Sequence, residues 1–457
     1  MIDPEIFKAN DIRGITGPGG QWDADGAYAI GAATAEVLSL AGRTIVLGRD
    51  MRTSSPEYSA AFARGVRDRG VNVIDVGLSS TDQLWFCSGR LDLHGVMFTA
   101  SHNPGQYNGV KFCRPGALPV DSTILAAIKD RALAADAAGP ADPVSTPGTL
   151  ESRDLLADYA EHLHALVDTS GLRRLRVVAD AGNGMAGHTL PAVLGGDAFE
   201  VIGLYTDPDG SFPNHAPNPL EPENLLDAQA AVREHDADLA LVFDGDADRC
   251  FIIDEQGEVV SPSTVTAMIA VQELGREPGA TIVRNIITSR TVPEVVAEQG
   301  GTCVTTRVGH TFVKAAMAET GAIFGGEHSA HYYFRDFWGA DTGMLAGLHV
   351  LALVGRSDQP LSQLAKEFSR YAASGEINST VADASAMLDR IEKLYADQVL
   401  ADGGEIDRSD GLTVSTKDWW FNLRASNTEP LLRFNAESVT QSLTDKIRDD
   451  VLKVVRS

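Results

Sequence analysis

Short apolar runs alternate with alanine-rich amphipathic stretches along most of this chain, and that alternation limits the possible folds more than any other feature. Residues 44–47, 72–76, 96–99, 176–179, 199–204, 239–243 and 281–283 read as strands, with helical patterns such as 27–41 and 57–68 between them. Strands separated by helices predict α/β layers built on largely parallel sheets. At 457 residues the chain exceeds one ordinary core, and roughly 100–200 residues per domain predicts two to four domains. Residues 134–148, rich in Pro, Gly and small polar residues without periodicity, read as a linker. The expected division is 1–148, 149–254, 255–370 and 371–457. The last block differs in kind: a strand at 376–381, a helix at 384–398, strands at 412–415 and 419–424, and a terminal helix from about 440 make it α+β.

Charge narrows the partners. With 38 Lys+Arg against 63 Asp+Glu the net charge is −25, which argues against a general nucleic-acid binder and against docking on anionic lipid. A phosphorylated substrate stays possible if a local basic pocket works against the global field. Cys87, Cys113, Cys250 and Cys303 are scattered without metal-ligand spacing, so neither a disulfide framework nor a zinc site is expected, and a reducing compartment is. The first residues are acidic and polar, and no apolar run approaches the roughly 18–20 residues of a membrane span. A soluble, cytoplasmic protein is expected.

The densest chemical signal is LALVFDGDADRC, where an apolar strand feeds a turn carrying Asp244, Asp246 and Asp248, followed by Arg249. Three carboxylates this close repel unless a cation lies between them, and open coordination suits Mg²⁺ that also binds a phosphoryl oxygen. A calcium hand fails, because Arg249 stands at the turn-glycine position and Ile252 at a ligand position. A solvated acidic turn is the plain alternative.

Three further segments stand at strand ends. TASHNPGQYNGVK puts Ser101 and His102 in a turn rich in Asn, Pro and Gly, with Lys111 downstream. Alone, Ser101 reads more readily as a turn or cap residue than as a reacting group, and adjacent residues usually point apart, so a Ser101–His102 pair is not expected. RASNTEPLLR gathers Arg424, Ser426, Asn427, Thr428 and Arg433 into an anion cradle, or else a capped loop. In GGEHSAHYYFRD, Glu327, Ser329 and His331 alternate and so face one way in an extended segment, which suits sugar hydroxyls. Arg307 and His310 lie upstream at another strand–helix junction, and a zinc role for His328 and His331 rests on weak spacing. Two patterns mislead. Gly182, Gly184 and Gly187, with Asp207 following, imitate a dinucleotide fingerprint but read as a tight strand–helix turn, and Trp419-Trp420-Phe421 reads as core.

Together these segments supply a serine, a carboxylate-held metal, an anion cradle and a hydroxyl reader. KANDIRG, TASHNPGQYNGVK, DGDADR, GGEHSAH and RASNTEP, in that order over essentially the full length, resemble the α-D-phosphohexomutase superfamily and its bacterial phosphomannomutase/phosphoglucomutase group. The resemblance implies three α/β/α mixed-sheet domains and a C-terminal α+β domain of TATA-binding-protein type around a central cleft, in a monomer or homodimer. It implies that Ser101 carries a phosphoryl group, with Asp244, Asp246, Asp248 and the phosphoserine holding Mg²⁺ and Arg249 contacting the phosphoserine. Arg13, His102 and Lys111 would surround the transfer. Glu327, Ser329 and His331 would read the sugar, beside Arg307 and His310, and Arg424, Ser426, Asn427, Thr428 and Arg433 would hold the other phosphate. Lys111 and His331 are the expected proton-exchange pair.

The implied reaction interconverts mannose 1-phosphate and mannose 6-phosphate, with glucose phosphates second, through a hexose 1,6-bisphosphate intermediate that also serves as activator. Two departures bear on the substrate. GEHSAH, with His328 and Ala330, stands where dual-specificity enzymes have GEMSGH, and Ile287 stands where a lysine often lies. A phosphoglucosamine mutase is the nearest rival, and a Mg²⁺-dependent sugar phosphatase the rival of another class. A non-catalytic sensor would have no need of the serine and the aspartates together.

Overall fold

The computed structural model describes residues 1–139, 142–425 and 431–457. The chain forms two compact units, one of residues 1–262 and 329–362, the other of 263–328 and 363–457.

The first sheet contains β1 (Ile12–Ile15), β2 (Thr44–Arg49), β3 (Asn72–Leu78), β4 (His94–Phe98), β5 (Tyr107–Arg114), β6 (Leu118–Pro119) and β7 (Leu150–Ser152), ordered β1-β5-β4-β2-β3-β7 with β6 on β5. Its centre is parallel, as the alternation predicts, but β5 runs antiparallel to both β1 and β4. This is the mixed sheet that the resemblance implies: a short turn rather than a helix joins β4 to β5, so the two run antiparallel. Helices α1 (Ala24–Val37), α2 (Ser55–Arg67), α3 (Thr81–Leu91) and α4 (Ser122–Ala138) surround this sheet. The packing is tight: a Cβ on Gly31 of α1 would lie 2.4 Å from the Phe62 carbonyl oxygen in α2. Ile30, Phe62, Phe98 and Leu125 share one core. The expected linker over 134–148 is helical up to Ala138, and β7 pairs with β3, so the chain stays with the first sheet to residue 152.

The second sheet has β8 (Leu175–Asp180), β9 (Phe199–Leu204), β10 (Leu239–Phe243), β11 (Cys250–Asp254) and β12 (Val259–Val260), ordered β12-β11-β10-β8-β9. Strands β8, β9 and β10 are parallel, while β10 and β11 form an antiparallel pair whose connecting turn carries the three aspartates. Helices α5 (Leu156–Leu166), α6 (Ala186–Val193) and α7 (Leu226–Glu234) belong to this part of the chain.

The expected third block, 255–370, is shared between the units. In the second unit, after α8 (Pro262–Arg276), strand β13 (Thr281–Asn285) pairs in parallel with β14 (Thr302–Thr306) and β15 (Phe324–Gly326), joined through α9 (Thr291–Glu298) and α10 (His310–Thr320). The later part, with the antiparallel pair β16 (Tyr332–Phe334) and β17 (Ala340–Asp341) and helix α11 (Gly343–Gly355), belongs to the first unit. Contact explains this: a Cβ on Gly343 would lie 2.6 Å from the Arg249 carbonyl carbon.

After α12 (Leu361–Lys366), the C-terminal sheet holds β18 (Ala372–Ala373), β19 (Ile377–Thr380), β20 (Glu405–Asp407), β21 (Leu412–Ser415), β22 (Trp419–Ala425) and β23 (Leu431–Ser438). Its pairs are all antiparallel, and α13 (Ala384–Ala401) and α14 (Gln441–Val455) supply Leu388, Ile391, Ile447 and Val451 to its core. The α+β expectation for this block holds. No described helix is long and apolar enough to cross a membrane.

Candidate active site

Four chain segments of the first unit bring charged groups together behind and around Ser101. The serine follows β4 directly and adopts the left-handed conformation, with φ +51°. Its Oγ donates to Asp244 Oδ2 at 3.0 Å and lies 3.3 Å from His102 Nδ1, so the neighbouring histidine does reach the serine. Burial, followed by the charges of Arg249 and Arg13, pushes the His102 pKa well below its ordinary value and keeps the ring neutral.

Sequence inspection did not single out what supports this loop. Arg52, fully buried beyond the end of β2, uses every donor of its guanidinium. Nη2 donates to the carbonyls of Ser101 (2.8 Å) and Asn103 (2.7 Å), Nη1 to those of Pro104 (2.8 Å) and Tyr107 (2.9 Å), and Nε to Asp50 (3.0 Å). The available signal was GRDMR running off the carboxyl end of a strand, where such sheets place functional groups.

The aspartate turn is held against this loop by shape. A Cβ on Gly245 would lie 2.5 Å from the Ser101 carbonyl oxygen, and one on Gly184 would lie 2.6 Å from the Gly245 carbonyl oxygen. The fingerprint-like glycines therefore serve close backbone packing, as a tight turn would: Gly187 likewise presses on the Thr206 carbonyl.

Asp244, Asp246 and Asp248 are all buried, with ligand oxygens within 4.8 Å of one another. Arg249 Nε donates to Asp244 Oδ2 at 2.9 Å. Lys111, on β5, reaches Asp246 Oδ2 at 2.8 Å and Asp248 Oδ2 at 2.7 Å. Burial pushes the Asp244 carboxyl up to about 7. Burial opposes ionisation at Asp246 and Asp248 too, but the Lys111 ammonium holds both below the usual carboxylate range. Burial works against the Lys111 charge, and the two aspartates outweigh it and raise its pKa.

What remains is a pair of buried oxygens, Asp246 Oδ1 and Asp248 Oδ1, that accept no hydrogen bond among the described residues. Buried carboxylate oxygens that accept no hydrogen bond, in a cluster of three carboxylates, are a poor end state without a cation, and an all-oxygen donor set suits a hard divalent ion. The residues present fit a metal.

Arg13, on β1, donates to Asn103 and Asp11, both at 2.6 Å, and so braces the serine loop from another side. His331 Nε2 lies 3.8 Å from Asp248 Oδ1, and its Nδ1 pairs with Ser329 Oγ at 3.0 Å. Ser101, His102, Lys111, Arg13, Arg249, Ser329, His331 and the three aspartates thus all lie in the first unit.

The remaining predicted residues lie in the second unit. Glu327 is buried and accepts from Asn285 Nδ2 (3.0 Å) and the Gly309 amide (3.2 Å). The Arg307 guanidinium lies over the Phe312 ring, and His310 opens α10. His328 Nδ1 pairs with Ser263 Oγ at 3.0 Å, and His328 belongs to none of the metal-capable groups among the described residues. Ile287 packs in an apolar cluster with Ile286 and Trp420, which explains an apolar residue there. Trp420 and Phe421 are buried in the core, as expected, and Trp419 packs against it half-buried.

Arg424 and Arg433 stand directly opposite on β22 and β23, and Glu376 bridges them at 3.3 and 2.8 Å. Ser426, Asn427 and Thr428 lie outside the described residues.

Similar proteins give the family. Family profiles for phosphoglucomutase/phosphomannomutase match in four parts: alpha/beta/alpha domain I over residues 4–138, domain II over 157–257, domain III over 262–371, and the C-terminal domain over 376–454. A phosphomannomutase of Salmonella montevideo is 41% identical over 96% of both chains. An enzyme of Xanthomonas campestris named "phosphohexose mutases" is 40% identical over 94% of both chains. The crystal structure of a phosphoglucomutase/phosphomannomutase family protein from Burkholderia thailandensis superposes with a TM-score of 0.88 at 34% identity, covering 100% of this chain and 98% of that one. This chain belongs to the phosphoglucomutase/phosphomannomutase family of sugar-phosphate mutases.

Proposed function

We propose that this enzyme interconverts mannose 1-phosphate and mannose 6-phosphate, with glucose phosphates as second substrates, through a phosphorylated Ser101 and a hexose 1,6-bisphosphate. The observation that carries this is the Ser101 hydroxyl 3.0 Å from Asp244, beside two orphaned carboxylate oxygens and within a cage of Arg249, Lys111 and Arg13.

The chemistry follows from charge. A phosphoryl group on Ser101 adds about −1.5 to −2 units of charge. Mg²⁺ held by Asp244, Asp246 and Asp248 would supply Lewis-acid neutralisation of that charge. Arg249 fixes Asp244 and offers its remaining donor edge to the phosphoryl oxygens. Of the candidate pair Lys111 and His331, His331 takes the proton of the attacking sugar hydroxyl, while Lys111, held as an ammonium by Asp246 and Asp248, serves only as a donor to the departing oxygen. In transfer, the bond from phosphorus to Ser101 Oγ breaks as one to the sugar hydroxyl oxygen forms, and the hydroxyl proton leaves to the base. The bisphosphate then turns end for end, and its other phosphate returns to Ser101. Glu327, Ser329 and His331, with Arg307 and His310, bind the sugar. Arg424, Arg433, Ser426, Asn427 and Thr428 hold the phosphate that is not reacting, whichever it is. That double duty favours charge and flexible donors over a shape-locked pocket.

Intact mass of the purified protein tests this. The wild type is expected to carry a fractional adduct of about 80 Da that Ser101→Ala lacks, with mutase activity falling by at least ~10³-fold. An active Ser101→Ala enzyme would end the proposal. Turnover of mannose, glucose and glucosamine 1-phosphates ranks the substrates: preference for glucosamine overturns the mannose assignment, and inorganic phosphate released faster than isomer forms identifies a phosphatase.

A further inference from the structure

We propose that Thr81, at the N-terminus of α3, is a positioning residue that decides which oxygen of Asp246 is presented to the cation. The proposal rests on the metal role assigned above to Asp244, Asp246 and Asp248.

Thr81 is fully buried and holds Asp246 twice. Its Oγ1 donates to Asp246 Oδ2 at 2.6 Å, and its amide donates to the Asp246 backbone carbonyl at 3.0 Å. Lys111 donates to the same Oδ2, so that oxygen has two donors while Oδ1 has none. Turning the carboxylate over would leave the Thr81 hydroxyl and the Lys111 ammonium facing an oxygen already committed to the cation. The two donors therefore select one orientation and leave Oδ1 to the cation; Asp248 Oδ1 likewise accepts no hydrogen bond among the described residues.

Of the two donors, Thr81 is the fixed one. A β-branched side chain in a helix has few χ1 choices, whereas Lys111 sits on a long flexible stem, is partly exposed, and is shared with Asp248. The start of α3 is itself pinned. Asp82, next in the chain, is buried and accepts hydrogen bonds from the Gln83 amide (2.8 Å), Tyr159 Oη of α5 (2.7 Å), Thr342 Oγ1 (2.7 Å) and Ser80 Oγ. Thr342 caps α11, and the next residue, Gly343, packs on the backbone of Ala247 and Arg249. The Thr81 hydroxyl is thus registered to the aspartate turn through α3, α5 and α11, and not through α3 alone.

Partners that orient a metal ligand are typically worth ~10–100-fold in metal affinity. The test is calorimetric titration of Mg²⁺ into full-length wild type, Thr81→Val, Thr81→Ser and Asp246→Asn, with the melting temperature of each recorded without metal. Thr81→Val, which keeps the shape and loses the hydroxyl, is expected to weaken Mg²⁺ binding about 10–100-fold while melting within a few degrees of wild type, with Thr81→Ser close to wild type. With Mg²⁺ raised to saturation, kcat of Thr81→Val should recover. Unchanged Mg²⁺ binding in Thr81→Val would overturn the role of Thr81. Should that variant fail to fold, Thr81→Ala takes its place beside Thr81→Ser: weaker binding in Ala supports the proposal, and equal binding overturns it. If the wild type binds no Mg²⁺, or Asp246→Asn binds it normally, the underlying metal assignment fails and the proposal falls with it.

Discussion

Arg52 donates a hydrogen bond to the backbone carbonyl of Ser101 at 2.8 Å, from a side chain with no exposed surface. Ser101, which we propose carries the phosphoryl group, is therefore held from outside its own loop as well as from within it. A left-handed backbone at a non-glycine residue costs on the order of 1–3 kcal/mol, and a five-donor fork with four of its bonds on that loop offsets it.

Removing that fork should unfold the region before it alters chemistry. Arg52→Ala leaves Asp50 buried without its counter-ion and four carbonyls without donors, for which a loss of ~3–5 kcal/mol is expected. Arg52→Lys should rescue little, because one ammonium cannot span five acceptors. Thermal melting and soluble yield report this, and an Arg52→Lys enzyme with wild-type stability would show that the fork is dispensable.

Gly184 should tolerate no side chain, for reasons of space. Its Cβ would meet the Gly245 carbonyl oxygen at 2.6 Å, backbone against backbone. Gly184→Ala is expected to push the aspartate turn out of register at ~1–3 kcal/mol and to cut activity more than tenfold. Wild-type kinetics for Gly184→Ala would mean that the turn yields freely.

Asp82 predicts a pH signature. Burial raises its carboxyl from 3.8 to about 6, against the hydroxyl and amide donors around it. A raised acid contributes stability that is complete below the unfolded pKa, near pH 4, and is lost as pH rises through about 6. Asp82→Asn cannot ionise and escapes that loss. Its melting temperature relative to wild type should rise between pH 4 and pH 7, by a margin worth about 1–3 kcal/mol. A difference that stays flat with pH would count against a strained, ionising Asp82.

Arg424 should matter for holding substrate more than for the chemical step. Glu376 already bridges it to Arg433, and a planar fork can serve the glutamate and a phosphate together. Arg424→Lys is expected to raise KM about tenfold, or ~1.4 kcal/mol, with kcat nearly kept. A fall in kcat at constant KM would assign it to the transfer itself.

The groups of the candidate site were legible because they are local. DGDADR, TASHNPG and GEHSAH each lie within one strand-end turn, so their chemistry is written in adjacent letters. The α+β character of the C-terminal block was legible for a related reason, its strands and two helices being marked by local patterns; the antiparallel order of its strands came from the structure. Arg52 and Thr81 were not, because nothing near them in sequence repeats or coordinates. Their partners lie 49 and 165 residues away.

Order along the chain thus determined which groups stand together: three carboxylates in a turn, a serine directly after a strand, and Arg424 and Arg433 on neighbouring strands. Tertiary structure alone decided how those groups are aimed. Hydrogen bonds and backbone contacts reach across whole domains, and they determine that Ser101 turns its Oγ to Asp244 and that Asp246 keeps one oxygen free. A pattern of residue types records what a turn contains. The direction in which a carboxylate points depends on what is packed behind it.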